Sequence, residues 1–210
     1  MSGIVSVNHP LLLHHLAILR SRTTKPLEFR QQIHCISTLL AVKATEDLPV
    51  NLVSIETPLA ATEASEMSLA VAIVPILRAG LGMVDAMLGL LPDAEVWHLG
   101  IYRDEATSRP VEYYSKLPDS DPCEVAYVLD PMLATGGSVL AAIESLQNWG
   151  CPDIRLISII ASQPGIDRVH SMFPHVRIVV AAIDPELNAD NYIVPGLGDA
   201  GDRFFNTERW

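Results

Sequence analysis

The sequence is poor in positive charge and in cysteine, and it has no long uninterrupted apolar run. Among its 210 residues, 14 Lys+Arg stand against 25 Asp+Glu, a formal net charge of −11. No four consecutive residues are Lys or Arg. A field of that sign repels nucleic-acid phosphates and anionic lipid, so no nucleic acid and no membrane is expected as a partner. The three cysteines, Cys35, Cys123 and Cys151, are odd in number and form no C-x-x-C. That argues against a disulfide framework or zinc-finger spacing and suits a reducing compartment. The longest apolar stretch, Leu69 to Leu77, covers nine residues and contains Pro75, far below the ~20 needed to span a bilayer. The N-terminal apolar stretch lacks a preceding basic region and is interrupted at Pro10, so no signal peptide is expected and a cytoplasmic location is. No G-x-x-x-x-G-K-[ST] occurs, and no G-x-G-x-x-G follows an expected strand. A P-loop or dinucleotide-binding reading is set aside on that ground.

What is present is apolar and well patterned. Hydrophobic residues make up 49% of the chain and charged residues 19%, with a mean hydropathy of +0.27. That composition and length predict one globular domain, or one domain with a small appendage, that buries roughly 70% of its unfolded surface. Asn8-His9-Pro10 reads as a helix start, followed by Leu12, Leu13, Leu16 and Leu19. Lys25-Pro26 opens a second helix carrying Phe29, Ile33, Ile36 and Leu40 at helical spacing. Beyond residue 50, apolar runs predict buried strands at 69–75, 95–102, 124–130, 154–161 and 176–183. Helices are predicted between them at about 82–91, 137–149 and 164–173. Near-continuous apolar strands alternating with helices specify an α/β fold, a parallel sheet covered on both faces. Residues 103–122, rich in charge, Pro and Tyr, interrupt this rhythm and read as a hairpin or lid. Residues 193–202, with three Gly and two Asp in ten residues, read as an ordered loop or a site, neither helix nor strand.

Two strand ends carry chemistry. Asp130 leaves a buried strand and is followed by Pro131, Met132, Leu133, Ala134, Thr135, Gly136, Gly137 and Ser138, which open a helix. Unpaired N–H groups at a helix N-terminus, two glycines that permit close approach, and hydroxyls on both sides form an anion cradle. Ionised Asp130 repels phosphate but accepts hydrogen bonds from ribose hydroxyls, so the segment reads as a site for a ribose 5′-phosphate. The second strand end, Val74-Pro-Ile-Leu-Arg78-Ala-Gly80-Leu-Gly82, brings a guanidinium suited to pyrophosphate to the same rim of the sheet. Arg103, at the root of the charged excursion, is a further candidate cation. The loop Gly196-Leu-Gly198-Asp199-Ala200 offers backbone donors and acceptors that fit a small, flat, amide-like ring.

These segments together resemble the uracil phosphoribosyltransferase family. Val74 to Met83 resembles its pyrophosphate loop. Asp130 to Ser138 resembles its loop for 5-phosphoribosyl 1-diphosphate (PRPP), and Tyr192 to Arg203 its uracil loop. Shorter echoes occur at His9-Pro10-Leu11, Phe29-Arg30, Thr57-Pro58-Leu59, Tyr102 to Glu105 and Tyr113 to Pro118. The resemblance runs in order over nearly the whole chain. It departs from the family pattern at Ala189-Asp190-Asn191, where Glu-x-Gly is common, at Asn206, where Gly is usual, and at Thr62 to Ser68, where Gly and Lys are expected.

The resemblance implies a type I phosphoribosyltransferase fold, with a parallel sheet core flanked by helices, a small hood and a β-hairpin lid. It implies one domain over 1–210, with N-terminal helices at about 9–43, a core at about 50–184 and a base-binding loop at about 185–210. The implied reaction is uracil + PRPP → UMP + pyrophosphate, in pyrimidine salvage, with Mg²⁺. Arg78, Arg103 and Asp199 are then the catalytic candidates, and Asp130 to Ser138 join them in binding PRPP. Tyr192, Ile193, Gly198, Asp199 and Ala200 hold the uracil. The metal rides on PRPP, with Asp199 as its one candidate protein ligand. GTP is an implied effector, and a homodimer or homotetramer the implied assembly. Two other readings of the same fold, a relative using another base and an RNA-binding regulator, are disfavoured by the base loop and by the charge of −11.

Overall fold

The computed structural model describes residues 3–103, 110–115, 117–118 and 120–207, with 101–103 and 110–115 described by backbone only. A short strand, β1 (Ile4–Ser6), precedes two helices, α1 (Pro10–Arg20) and α2 (Pro26–Thr45). Both helices start at a proline, whose missing N–H and fixed φ suit the first helical position. The His9 side chain accepts from the Leu11 amide at the start of α1. A hairpin follows, β2 (Asn51–Glu56) with β3 (Ala61–Glu66), detached from the main sheet. Its turn is closed by Thr57, whose Oγ1 accepts from the amides of Leu59 and Ala60.

The core then unfolds as β4 (Val71–Leu77), α3 (Leu81–Leu88), β5 (Glu95–Val96), β6 (Leu99–Arg103), β7 (Pro110–Ser115), β8 (Val125–Leu129), β9 (Met132–Leu133), α4 (Gly137–Trp149), β10 (Asp153–Ser162), α5 (Gln163–Met172) and β11 (Arg177–Asp184). The sheet order is β1-β11-β10-β8-β4-β6-β7, parallel throughout except where β7 turns back along β6. The chain ends with a two-stranded antiparallel sheet, β12 (Glu186–Leu187) and β13 (Ile193–Val194), and a short helix, α6 (Ala200–Phe205). Among the described residues no helix is long and apolar enough to cross a membrane.

Alternation along the strands feeds two cores. Val71 and Ile73 of β4, Tyr127 and Leu129 of β8, and Ile157 and Ile159 of β10 face α1, α2 and α3. Ala72, Val74 and Ile76, with Val128 and Leu156, face α4 and α5. Both sets are needed because a parallel sheet is covered on both sides. At the opposite end of the sheet from the site, buried Arg155 is held by Asp153, Asp47 and the Ala44 carbonyl.

The predicted core elements lie where they were expected, with four differences. The strand expected at 95–102 is broken at Trp97 and His98 into β5 and β6. Pro75, inside β4, lacks the N–H that would continue the ladder on that side, and the pairing lapses between Ile73↔Val96 and Ile76↔Leu99. The β2–β3 hairpin and β1 were not expected. β2–β3 buries little apolar surface, and β1 is only three residues paired by register to β11. The 193–202 segment, expected to be neither helix nor strand, contributes β13 and the first residues of α6. Asp199 makes that helix possible by accepting from the Asp202 amide at its start. The segment also has the spacing G-x-G-x-x-G from Gly196 to Gly201 and does follow a strand. That strand is two residues of an antiparallel pair and belongs to no βαβ unit, so the dinucleotide reading stays closed.

Phe29 is fully buried between α2 and the C-terminal segment, with the Arg203 guanidinium 4.4 Å from its ring centroid. Phe29→Ala is expected to cost about 3–5 kcal/mol of stability, read as a lowered urea midpoint with an unchanged m-value.

Candidate active site

The site lies where the strand order reverses. From β4 the chain passes to β5 and β6 on one side; from β8 it passes to β10 on the other. Ligands in open α/β sheets bind at the carboxyl ends of strands flanking such a point. Here β4 and β8 are neighbours with Pro75 opposite Leu129, so the residues that follow them, Arg78 and Asp130, come to one rim.

After β4 the backbone turns sharply into α3, with a cis Leu77–Arg78 peptide. Gly80 closes this turn through its amide to the Ile76 carbonyl, 2.9 Å. A Cβ there has no room, because it meets the Leu129 carbonyl and the Ile76 backbone. The Arg78 side chain is more than half exposed. It donates to Asp202 Oδ1 at 3.1 Å and has the Phe205 ring 5.9 Å away. Thr207 and Arg78 together hold the Asp202 carboxyl below the usual range.

After β8 the Asp130–Ser138 loop is clamped from beneath. Asp130 Oδ1 accepts from the Met132 amide at 3.2 Å. Two fully buried serines of β10 fix the next residues. Ser158 Oγ accepts from the Leu133 amide at 3.2 Å, and Ser162 Oγ donates to the Ala134 carbonyl at 2.6 Å. Gly136 caps α4 at φ +77°, a backbone region that favours glycine, and no side chain caps that helix. Gly136, with no side chain of its own, offers the first-turn amides of α4 no N-cap acceptor, as an anion cradle requires. Only Gly136 of the glycine pair has positive φ. Gly137 is already the first residue of the helix and needs no special conformation. Pro131 and Leu133 are buried, and the Leu133 side chain packs into the core cluster against α4 and α5.

The third loop is the most constrained. Asn188 Oδ1 accepts from the amides of Asp190 and Tyr192, at 3.0 and 2.8 Å. Asn191 takes φ +63° and Asn206 φ +57°. Both asparagines thus occupy the left-handed conformation that glycine usually supplies, and Asn accepts it more readily than most residues. Val194–Pro195 is cis, and Gly196 and Gly198 have φ +61° and +80°. Ile193 is buried, Tyr192 is 44% exposed, and Ala200 is buried at the start of α6.

Two cavities open over these loops. One, about 330 Å³, is lined by Arg78, Asp130, Met132, Ser138 and Asp199, with Ile76, Leu77, Ala79 and Gly201. The other, about 380 Å³, is lined by Met132, Ala134, Asp190, Asn191, Tyr192, Ile193 and Asp199. Met132 and Asp199 line both, so a polar chamber and a more apolar chamber share a wall. Arg78, Asp130, Ser138 and Asp199 are thereby brought together as expected, and Tyr192 and Ile193 line the adjoining chamber. The side chain of Arg103 lies outside the described residues, as do residues 104–109, 116 and 119 of the excursion after it. Sequence reasoning missed Arg20, Asp184, Asp202 and Arg203, which pin the loops from outside the cavities. Asp202 and Arg203 lay inside a motif already singled out. Arg20 and Asp184 are 164 positions apart and meet only in the fold.

The sequence model of the family described as "Uracil phosphoribosyltransferase" matches residues 5–207. The chain belongs to the uracil phosphoribosyltransferase family. It is 49% identical over 207 residues to a uracil phosphoribosyltransferase of Roseiflexus castenholzii, covering 99% of this chain and all of that one. A solved structure of an Aquifex aeolicus protein superposes with a TM-score of 0.93 at 32% identity, over 99% of this chain and all of that one. The adenine phosphoribosyl transferase of Trypanosoma brucei superposes at a TM-score of 0.57 and 12% identity, over 95% and 89% of the two chains. At that identity the likeness is one of fold. The chain is an enzyme on the type I phosphoribosyltransferase fold, a mostly parallel sheet core flanked by helices, with antiparallel hairpins beside it.

Asp130 is half-buried on the crevice floor. Desolvation outweighs its one backbone hydrogen bond and pushes the carboxyl up to about 7. The native carboxyl thus keeps its proton up to that pH, whereas the unfolded one releases it near ~3.9. The native state holds the extra proton between those values, so this group's contribution to stability falls as pH rises through that window. Asp130→Asn is expected to raise Tm at pH 8 by about 3–6 °C, with the difference lost by pH 4, in melts across that range.

Proposed function

We propose that this enzyme transfers the phosphoribosyl group of PRPP to uracil, giving UMP and pyrophosphate, and so serves pyrimidine salvage. The observation that carries this reading is the pair of adjoining cavities, one lined by Arg78, Asp130 and Ser138, the other by the base loop, with Asp199 between them. In the reaction the bond from the ribose anomeric carbon to the pyrophosphate oxygen breaks. A bond from that carbon to a uracil ring nitrogen forms, and the nitrogen's proton leaves.

In this reading the α4 N-terminus takes the 5′-phosphate, with Thr135 and Ser138 adding hydroxyls. Asp130 accepts from the ribose hydroxyls. Arg78, with Arg103 from the hairpin, meets the pyrophosphate, where negative charge grows as the bond breaks. Arg78 leaves Asp202 to do so, exchanging a solvated carboxylate for a polyphosphate. Oxocarbenium character at the anomeric carbon is the expected form of the transition state. Uracil is held by backbone groups of Ile193 and Gly198 to Ala200, with Tyr192 at the chamber mouth. Asp199 already uses Oδ1 to cap α6, which leaves Oδ2 as the oxygen to face substrate. No step needs a nucleophilic serine or cysteine; positioning and exclusion of water do most of the work.

Among the described residues no group of three or more His, Cys, Asp or Glu converges as a metal cage. A single carboxylate, Asp199, facing both chambers suits Mg²⁺ carried by substrate oxygens and water. When bound there, the ion supplies charge neutralisation for the departing pyrophosphate. The reading also takes residues 1–210 as one catalytic domain acting in the cytoplasm, with free thiols at all three cysteines. It takes the working form as a homodimer or homotetramer, supported by exposed Leu11, Leu13 and Leu27 on the N-terminal helices. GTP is the effector to test.

The deciding assay is conversion of labelled uracil with PRPP and Mg²⁺, beside cytosine, orotate, adenine and guanine, with and without GTP. Turnover of uracil alone is expected, and turnover of another base in its place overturns the reading. Arg78→Ala is expected to lower kcat/KM for PRPP by about 10²- to 10³-fold, measured in the same assay.

A further inference from the structure

We infer that Arg20 and Asp184, which touch neither cavity, are positioning residues for the nucleobase: they set the shape of the base loop through Gly196 and so tune the affinity for uracil separately from that for PRPP. The inference rests on the reading of Ile193 to Ala200 as the base loop.

Arg20 closes α1 and Asp184 closes β11. The guanidinium meets the carboxylate through both nitrogens, at 2.7 Å each. This is the bidentate fork that fixes orientation as well as distance. The pair does not stop at itself. Arg20 Nη1 also donates to the Gly196 carbonyl at 2.8 Å, and the Gly196 amide donates to Asp184 Oδ2 at 2.9 Å. Both polar atoms of the Gly196 backbone are therefore held by one ion pair. Asp184 is 5% exposed, so its bonds are only slightly relieved by water.

Gly196 is a demanding place for such a grip. Its φ is +61°, and a Cβ there would collide with the Ile193 carbonyl. The turn that stacks Gly196 on Ile193 thus fixes where the backbone of Ile193 points and where the chain emerges toward Gly198. Those are the groups assigned to uracil. A reciprocal contact completes the clamp. Arg203 of α6 reaches back to the carbonyls of Leu19 and Ser21 at the end of α1, at 2.9 and 2.6 Å, and to the Leu197 carbonyl at 2.5 Å. The last turn of α1 and the base loop therefore hold each other. The PRPP side of the site rests on different supports, Ser158 and Ser162 of β10 and the turn at Gly80. Loosening the Arg20–Asp184 pair should tax only the ligand that needs the base loop ordered, because that ligand must then supply the ordering free energy itself.

The test is steady-state kinetics of Arg20→Gln, Asp184→Asn and the double variant, with each substrate varied at saturating levels of the other. The expected result is a uracil KM raised about 10- to 100-fold, a PRPP KM within about threefold of the parent, and a kcat recovered at saturating uracil. The double variant should be no worse than the worse single one, because either change breaks the same clamp. Arg20→Lys keeps the charge but loses the fork, and is expected to fall between parent and Arg20→Gln. It also carries the test if the Asp184 variant does not fold. Uracil KM unchanged, or both KM values rising together, overturns the inference. Failure of the underlying reading looks different: the unmodified enzyme would not use uracil, or Gly198→Ala would leave the uracil KM unmoved.

Discussion

Parallel pairing of β4 with β8 is the constraint on which the site depends. β8 ends at Leu129, opposite Pro75, and β4 runs two residues further to Leu77; each then releases a tight turn over the same edge. Parallel strands need long crossovers, so α3 and α4 must leave in opposite directions and a crevice opens between them. Both turns are crowded. Gly80 lies against the Leu129 carbonyl, and the loop after Leu129 is bonded down onto Ser158 and Ser162. The two loops are thus one packed object, and the distance between a guanidinium and a carboxylate far apart in sequence is set by backbone geometry.

That arrangement lets a protein of net charge −11 receive a polyanion. The long-range field works against association, so attraction has to be local and largely neutral in origin. In the proposed function the α4 N-terminus supplies it with amides and hydroxyls, and Arg78 adds a single local cation. The three aspartates nearby are each moderated. Asp202 faces Arg78, Asp199 is engaged in capping α6, and desolvation raises Asp130 toward neutrality. A raised carboxyl is a stability cost, and in the proposed function it sits where a substrate hydroxyl meets it. The same logic explains the glycines and asparagines of the third loop. In the proposed function their positive φ values let backbone, not charge, present itself to an uncharged ring.

The loops also differ in what supports them. The loops after β4 and β8 are built on the sheet, the second bonded to Ser158 and Ser162 of β10. The base loop instead hangs on ion pairs and carbonyls at the end of α1, an element at the other end of the chain. The N-terminal helices therefore have two duties. Their apolar faces cover one side of the sheet, and the last turn of α1 bonds to Gly196 and Arg203.

Much of this was legible in order along the chain. Strand and helix periods, the prolines at helix starts, and the Asp130–Ser138 and Val74–Gly82 segments are local patterns, and local patterns are what a sequence displays. Because the parallel sheet follows from strands alternating with helices, the common rim for Arg78 and Asp130 followed too. The tolerance of Asn191 for a left-handed backbone was readable from its side chain alone. Other features were not. The break at Trp97 and His98 depends on which side of β4 Pro75 faces. The helical start at Ala200 depends on Asp199 folding back onto Asp202. The partnership of Arg20 with Asp184 depends on β11 ending beside α1. Sequence by itself determined the main core strands and helices and the family, since each is written in neighbouring residues. Only the tertiary structure decided which distant charges grip which backbone, because those pairings are set by the packing of elements that share no local pattern.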